Sequence, residues 1–414
     1  MTVRRVIVAG GGAAGLMAAG QAALAGAEVT VLEKMNRPGS KICISGKGRC
    51  NLTNIADLPD FLHHFGPTGK FLRQAFAQFF STELMDFFTS RGVPLVTERG
   101  GRVFPASGKA WDILDMFVRW LAQCNVTIMR SAKVEGLLLE HGKVLGVLCN
   151  GREKRADAVI LAAGGASYPA TGSTGDGYRL AASAGHRIIP VRPALVPLET
   201  AGNAAGKMAG LNLRNVMVRM YINGRKRRQE FGELVFAEFG VTGPVVLTLS
   251  GEAVDALREG KKVAFSIDLK PALDEGKLDA RLLRDFQSRG NEKIENVLRG
   301  LLPREMVPVC LDLAGISPDK PASQVNAAER RRLRVWLKDF RLEVSGFRPL
   351  AEAIVTAGGV DTKEVDPRTM ESRLIQGLYL AGEVLDIQGD TGGYNLQAAF
   401  STGWLAGRSA GKKA

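Results

Sequence analysis

The chain changes hydrophobic period twice within its first 33 residues. Val6 to Ala9 is an unbroken apolar run, the pattern of a parallel strand covered on both faces. Small residues of high helix propensity run from Ala13 to Ala25, and Gly26 follows as a C-terminal stop. The alternation of "EVTVLE" (Glu28 to Glu33) then predicts a second strand. Further on, Ser131 to Arg155 reads as a β-meander with turns at "HGK" and "NGR". Ala158 to Ala163 is a third apolar strand, ending in Gly164-Gly165. "GSTGDGYRLAASAGH" is a glycine loop opening a helix, with Asp176 either its N-cap or a ligand contact. Leu378 to Ala381 is a last strand, and a helix begins at about Tyr394. The fold class is therefore α/β and Rossmann-like.

Between Val191 and Phe347 the pattern differs. "RNVMVRMYING" and "KKVAFSIDLKP" alternate as antiparallel strands do, whereas Asp279 to Phe340 carries amphipathic helical runs such as "AERRRLRVWLKDF". Strand-glycine motifs flank this stretch on both sides, so the nucleotide domain must be discontinuous. The expected division is 1–190 with 346–414, interrupted by a β-barrel-like unit at 191–275 and a helical unit at 276–345. A substrate is expected between this insertion and the cofactor. The phenylalanine-rich stretch Phe65 to Gly92 reads as helices whose Phe stripe is core.

Composition narrows the class. With 45% hydrophobic and 23% charged residues, the chain is globular. Lys and Arg number 55 against 42 acids, a net charge of +13, which suits anionic cofactors and also raises nucleic acid as a partner. The basic runs "GRKRR" (Gly224 to Arg228) and "ERRRLR" (Glu329 to Arg334) read as solvated surface without interleaved aromatics, which disfavours RNA. Five cysteines form no CxxC pair, the pattern of buried thiols in a cytoplasmic protein. The uncharged run Val6 to Ala27 mimics a signal or spanning segment, but its glycines assign it to strand, turn and helix, leaving no targeting segment and no membrane partner. His63-His64 has no other ligand-type residues in phase, so no metal is expected.

Gly10-x-Gly12-x-x-Gly15 sits between the first strand and helix. Gly10 permits the bend, Gly12 lets a pyrophosphate approach the backbone, and Gly15 lets helix and strand pack closely. The helix start at Ala13 and Ala14 offers N–H groups to phosphate. Glu33, 23 residues after Gly10, suits a ribose and disfavours NADP. Lys34 beside it is a further candidate. FAD is favoured over NAD by the returning strand, with candidates Val134, Ala163, Gly164, Gly165, Thr174 and Asp176. It is favoured also by "AGEVLDIQGDTGGYNLQ" (Ala381 to Gln397), with candidates Gly382, Glu383 and Asp386. Glu383 can accept hydrogen bonds from a polyol. Gly392, Gly393 and the N–H groups of Tyr394 and Asn395 open a helix whose positive end suits a reduced, anionic flavin.

These stretches, with "SKICISGKGRCNLTN" (Ser40 to Asn54), "GELVFAEFGVTGP" and "VTAGGV", resemble the BaiN-like (YhiN-type) bacterial flavoproteins. That family lies within the glutathione reductase and fumarate reductase flavoprotein superfamily. The resemblance covers nearly the whole chain and implies non-covalent FAD and a three-part architecture. It implies a flavin-lining loop with candidates Lys41, Ser45, Gly46, Arg49, Asn51 and Asn54, and Tyr394, Asn395 and Gln397 at the pyrimidine edge. Two positions depart from the family. Glu238 stands where many relatives carry His, and Lys47 where Gly is common.

The reading is an FAD-dependent oxidoreductase acting on a small organic substrate, with carbon–carbon double bonds, enones among them, fitting the resemblance. No second GxGxxG is present, so NAD(P)H would serve as a transient donor, or a redox protein would supply electrons. The alternatives are an RNA-modifying flavoenzyme and a non-catalytic flavin-binding protein. Arg49, Glu238 and Tyr394 are polar candidates for a general acid, and the catalytic residue stays open.

Overall fold

In the computed structural model, which describes residues 3–412, the short apolar runs pair into one parallel sheet. Its strands are β1 (Arg5–Ala9), β2 (Glu28–Leu32), β3 (Thr127–Met129), β4 (Ala158–Leu161) and β5 (Leu378–Leu380), in the order β5-β4-β1-β2-β3. Val6 pairs with Ala158, and Val159 with Leu378, so distant segments become neighbours. Val8, Val159, Ile160 and Leu161 are wholly buried, as continuous apolar runs in a doubly covered sheet should be. The apolar N-terminal run is thus a strand and a helix. Among the described residues no helix is long and apolar enough to cross a membrane.

Three helices matter for the site: α1 (Ala13–Leu24), α2 (Asp176–Ser183) and α3 (Tyr394–Gly411). Alpha-helical spacing places Gly403, Gly407 and Gly411 on one face of α3. A Cβ at these positions would come within 2.3, 2.2 and 2.6 Å of the carbonyl oxygens of Ala14, Ala18 and Ala22 on α1. Only hydrogen fits there, so the two helices touch backbone to backbone. This stripe went unread in the sequence, although its spacing of four is plain in "GWLAGRSAG".

The meander Val134–Glu140, Lys143–Cys149 and Arg152–Arg155 forms as expected. The phenylalanine-rich stretch folds into helices Gly69–Gln78 and Ser81–Thr89, with Phe76 and Phe88 buried. The chain divides into two compact units, Met1–Ala194 with Leu350–Ala414, and Leu195–Pro349. The division falls beyond the expected 190/191 because Ile188–Ala194 pairs antiparallel with Val355–Val360 inside the first unit.

The second unit holds a closed six-stranded barrel together with helices. Two expectations need correction. The stretch 276–345 is not helical to its end: Phe340–Phe347 is a strand whose alternate residues are buried, and it joins Val263–Asp268 to Leu198–Thr200. The expected β unit also contains a 15-residue helix, Pro244–Arg258. Both errors share a cause, since short runs such as "RLEVSGF" fit either period until a partner strand is known. Of the basic runs, Arg225, Lys226 and Arg227 are exposed beside a turn at Asn223-Gly224. Glu329, by contrast, is buried, capping its helix with Asn326 and holding Lys320 at 2.7 Å.

Replacing Gly407 with Val should overpack the helix contact and cost at least ~2 kcal/mol. Gly251→Ala, on a helix where an added Cβ meets nothing within 4 Å, should instead be neutral or stabilise by up to ~1 kcal/mol. Urea midpoints of the two variants check the contrast.

Candidate active site

One cavity in the first unit runs along the carboxyl ends of the parallel strands, where ligands bind in open α/β sheets. Gly10, Gly12, Ala13, Ala14, Glu33 and Lys34 line one part of it, and Gly382, Glu383, Asn395 and Leu396 another. Lys41, Ser45, Val134, Ala163, Gly164 and Asp176 also line it.

The glycine turn is built as its spacing predicted. Gly10 has φ +107, and a Cβ there would meet the Ala162 carbonyl oxygen at 2.4 Å. A Cβ on Gly15 would lie 1.9 Å from the Gly10 oxygen, so Gly15 serves packing and does not line the cavity. Gly12 faces open space, with nothing within 4 Å of an added Cβ, and it caps α1 without a side chain. The first turn of α1 thus presents N–H groups to the cavity with no side-chain cap in competition. Glu33 is buried, and its carboxylate accepts the Gly11 N–H at 2.7 Å and the Met35 N–H at 2.8 Å. These two bonds fix its orientation.

Asp176 is the first residue of α2, while Gly175 is the N-cap, so the capping alternative is wrong. Its carboxylate instead holds Lys34 Nζ at 2.7 Å and accepts the Thr174 hydroxyl at 2.9 Å. Burial raises its pKa, but the Lys34 and Thr174 bonds and the nearby charges of Lys34 and Lys133 bring it below the ordinary range.

Glu383 lies about four-fifths buried, and Lys41 Nζ is 2.7 Å from it. Its other oxygen accepts the Thr356 N–H at 2.8 Å and the Ser167 hydroxyl at 3.0 Å. The Thr356 hydroxyl accepts the N–H groups of Ala166 and Ser167 at 2.8 and 3.0 Å. Gly165 makes this approach feasible, since a Cβ would fall 2.4 Å from Thr356 Oγ1. Burial pushes the Glu383 carboxyl up, but the charge of Lys41 and the bonds from Lys41, Thr356 and Ser167 outweigh it and hold the group below its ordinary range. Sequence reasoning missed Ser167 and Thr356. The available signal was a hydroxyl inside the otherwise apolar, fully buried strand "VTAGGV".

Most other candidates lie outside the cavity wall, and Asn395, which lines it, turns its side chain elsewhere. Gln397 is wholly buried, with its amide donating to Ser401 Oγ at 2.9 Å and to the Phe79 carbonyl at 3.4 Å. Asn395 spends its side chain on the preceding loop, accepting the Gly389 N–H at 2.8 Å and donating to the Gly389 carbonyl at 2.9 Å. The Tyr394 ring is buried against Phe61 and His64, with centroids 4.7 and 4.0 Å away. Burial first, then Asp60 and Asp390, push its hydroxyl up to about 12, a poor general acid at neutral pH. Asp386 accepts the Gly358 N–H at 3.1 Å, away from the cavity. Arg49 pairs with Glu98 and lies 4.2 Å over the Phe104 ring. Asn54 ties Gly100 to Gly392, donating to their carbonyls at 2.9 and 3.2 Å. Gly393 touches the Thr53 backbone, where a Cβ would stand 2.3 Å from its oxygen, and Gly392 faces the Tyr394 ring. Asn51 Oδ1 is enclosed without a hydrogen-bond partner. Gly46 and Lys47 are exposed and left-handed, at φ +56 and +59. That conformation favours glycine, and the exposed Lys47 carries its charge outward. Glu238 is exposed at a barrel turn in the other unit.

Two histidines acquire partners that the sequence did not reveal. His64 Nδ1 lies 2.9 Å from Asp390 Oδ2. His186, buried, lies 2.8 Å from Ser372 Oγ and 3.0 Å from Glu364 Oε2, the connectivity of a nucleophile triad that four scattered histidines did not suggest. Ser372 Oγ, however, is itself buried and accepts the N–H groups of Leu374 and Ile375, so the trio staples a turn. All five cysteines are free, and burial pushes the Cys50 thiol up to about 12.

A parallel sheet, a glycine turn and a cavity joining two helix starts without side-chain caps are the frame of a nucleotide-binding protein, and the family match makes it an oxidoreductase of the flavoprotein class. The chain belongs to the family described as HI0933-like protein Rossmann domain, whose model matches residues 4–409. It is 35% identical over 413 residues to the 3-dehydro-bile acid delta(4,6)-reductase of Clostridium scindens, covering 99% of this chain and 100% of that one. It is 33% identical over 402 residues to the ribosomal RNA dihydrouridine synthase of Escherichia coli, with 96% of each covered. In fold it resembles 3-ketosteroid delta1-dehydrogenase from Sterolibacterium denitrificans, with TM-score 0.52 and 14% identity over 99% of this chain and 100% of that one.

The sign of one pH effect follows from Glu383. A carboxyl with a depressed folded pKa stabilises above its unfolded value of ~4.3 and loses that stability as pH falls through the folded value. Glu383→Gln should cost ~2–3 kcal/mol at neutral pH, less than a fully buried pair because Lys41 keeps some solvent. The gap to wild type should begin to narrow as pH falls past ~4.3 and close only as it falls on through the depressed folded value. Denaturation midpoints at neutral and acidic pH measure both.

Proposed function

We propose that this protein binds FAD non-covalently and reduces a carbon–carbon double bond conjugated to a carbonyl. The observation that carries the reading is one cavity lined both by the glycine turn and by the start of α3, as a single extended dinucleotide would need. The residues present fit such a group. Gly12 with the N–H groups of Ala13 and Ala14 would hold the phosphates, and Glu33, already oriented by two backbone bonds, a ribose. Val134, Ala163 and Gly164 supply close-approaching wall. Lys41 offers a cation, and Glu383 a carboxylate with lone pairs left for a hydroxyl. When bound, the flavin supplies two-electron chemistry, and the protein supplies position and electrostatics.

The unblocked N-terminus of α3 favours negative charge at its end of the cavity, which stabilises a reduced cofactor. The bond chosen follows from two relatives of nearly equal identity. A delta(4,6)-reductase and a dihydrouridine synthase are both named for saturating a double bond conjugated with a carbonyl. A steroid-like enone is the first substrate class. A uracil within RNA is the second, favoured by the net charge of +13 and by the second relative. NADH or NADPH is proposed as a transient donor, since the chain holds one dinucleotide motif.

The test is anaerobic. The purified yellow protein is reduced with NADH or NADPH and then mixed with a 4-en-3-one steroid, its saturated ketone, or a uridine-containing ribosomal RNA fragment. Reoxidation by the enone and not by the saturated ketone is the expected result. Reoxidation by RNA alone moves the substrate to the second class. Flavin that stays oxidised with every donor overturns the catalytic reading, and protein that takes up no FAD overturns all of it.

A further inference from the structure

Residues 388–393 lie between two parts of the cavity wall, with Ile387 lining it before the loop and Asn395 and Leu396 after it. The loop's geometry decides where α3 starts, and α3 has no side-chain cap. One residue of this loop is gripped twice from another part of the chain. The Asp390 N–H donates to the His64 carbonyl at 3.0 Å, and the Asp390 carboxylate lies 2.9 Å from His64 Nδ1. The His64 ring in turn stacks on Tyr394, the first residue of α3, at 4.0 Å between centroids and 24° between planes. His64 closes the short helix Leu58–His63, which Phe61, wholly buried, fastens edge-on to the Tyr394 ring at 4.7 Å between centroids.

We infer that His64 and Asp390 form a positioning dyad that holds the loop and the first turn of α3 against the redox end of the cavity. The inference rests on the FAD reading above and deepens it. Asn54 steadies the end of the same loop through the Gly392 carbonyl at 3.2 Å, and Asn395 binds back to Gly389 and Asp390, so Asp390 is the loop side chain that His64 grips directly. Two hydrogen bonds at one residue fix both its position and its orientation. The stacked ring passes that constraint to Tyr394, whose N–H belongs to the turn that faces the cavity. His64 touches neither cofactor nor substrate in this account. It acts through the electrostatics of a helix end, an effect that falls off within one turn and so depends on placement.

The experiment uses full-length apoprotein titrated with FAD and, separately, the midpoint potential of the reconstituted protein. Asp390→Asn, His64→Phe and His64→Gln are compared, with melting curves to establish folding. His64→Phe keeps the ring stack and deletes the polar contact, whereas His64→Gln keeps a side-chain amide to reach Asp390. Asp390→Asn and His64→Phe should each weaken FAD binding about tenfold, equal to about 1.4 kcal/mol. Each should also shift the bound flavin's potential downward, because a displaced helix end stabilises the reduced form less. The double variant should be no worse than either single, and His64→Gln should recover most of both readouts. Folded variants with unchanged affinity and potential overturn the dyad, as do additive losses in the double variant. Wild-type protein that binds no FAD overturns the parent reading instead.

Discussion

Bare backbone is what lets α3 lie against α1. Three glycines four residues apart remove every side chain from one face, and three alanines of α1 receive it, with carbonyl oxygens where any Cβ would collide. Two helices from opposite ends of the chain are thereby set side by side, and their N-terminal turns open into the same cavity. Each helix end is a weak partial charge by itself. Brought together at the carboxyl edge of one sheet, they become the two electropositive poles of a single elongated site.

The cavity's charged side chains are held as firmly as its backbone. Glu383 has one oxygen on Lys41 and the other on Thr356 and Ser167, so a largely buried carboxylate is paired and hydrogen-bonded at both oxygens, with acceptor capacity left on the oxygen that Lys41 holds. Losing one partner would strand a charge, which is why such a network costs little when complete and much when broken. Lys34, Thr174 and Asp176 make a second, more exposed cluster beside Glu33. The polar chemistry of the site is therefore largely preorganised before any ligand contributes.

Much of the cavity was legible in the linear chain. Gly10, Gly12 and Glu33 were readable because a strand, a tight turn and a helix follow each other locally, and their spacing is imposed by that local geometry. Val134, Ala163, Gly164 and Glu383 were readable for the same reason, lying at strand ends. Asn395 does line the cavity, but the Gln397 and Tyr394 side chains turn to Phe79 and Phe61, because a helix position gives no indication of which face meets a cavity. Thr356 and Ser167 escaped notice, and His64 was weighed only as a metal ligand, since each meets a partner more than 180 positions away.

By itself, the sequence determined what depends on near neighbours: the parallel strands, the glycine turn, the acid at the second strand's end, and the interruption by a separate unit. Backbone dihedrals and hydrophobic period are local quantities, and short windows carry them. Only the tertiary structure decided which polar groups meet. It joined Lys41 to Glu383 and His64 to Asp390, turned the Gln397 amide inward, and recruited Phe340–Phe347 to close the barrel. Those outcomes rest on pairings across hundreds of residues, where packing and desolvation choose among partners that no spacing distinguishes.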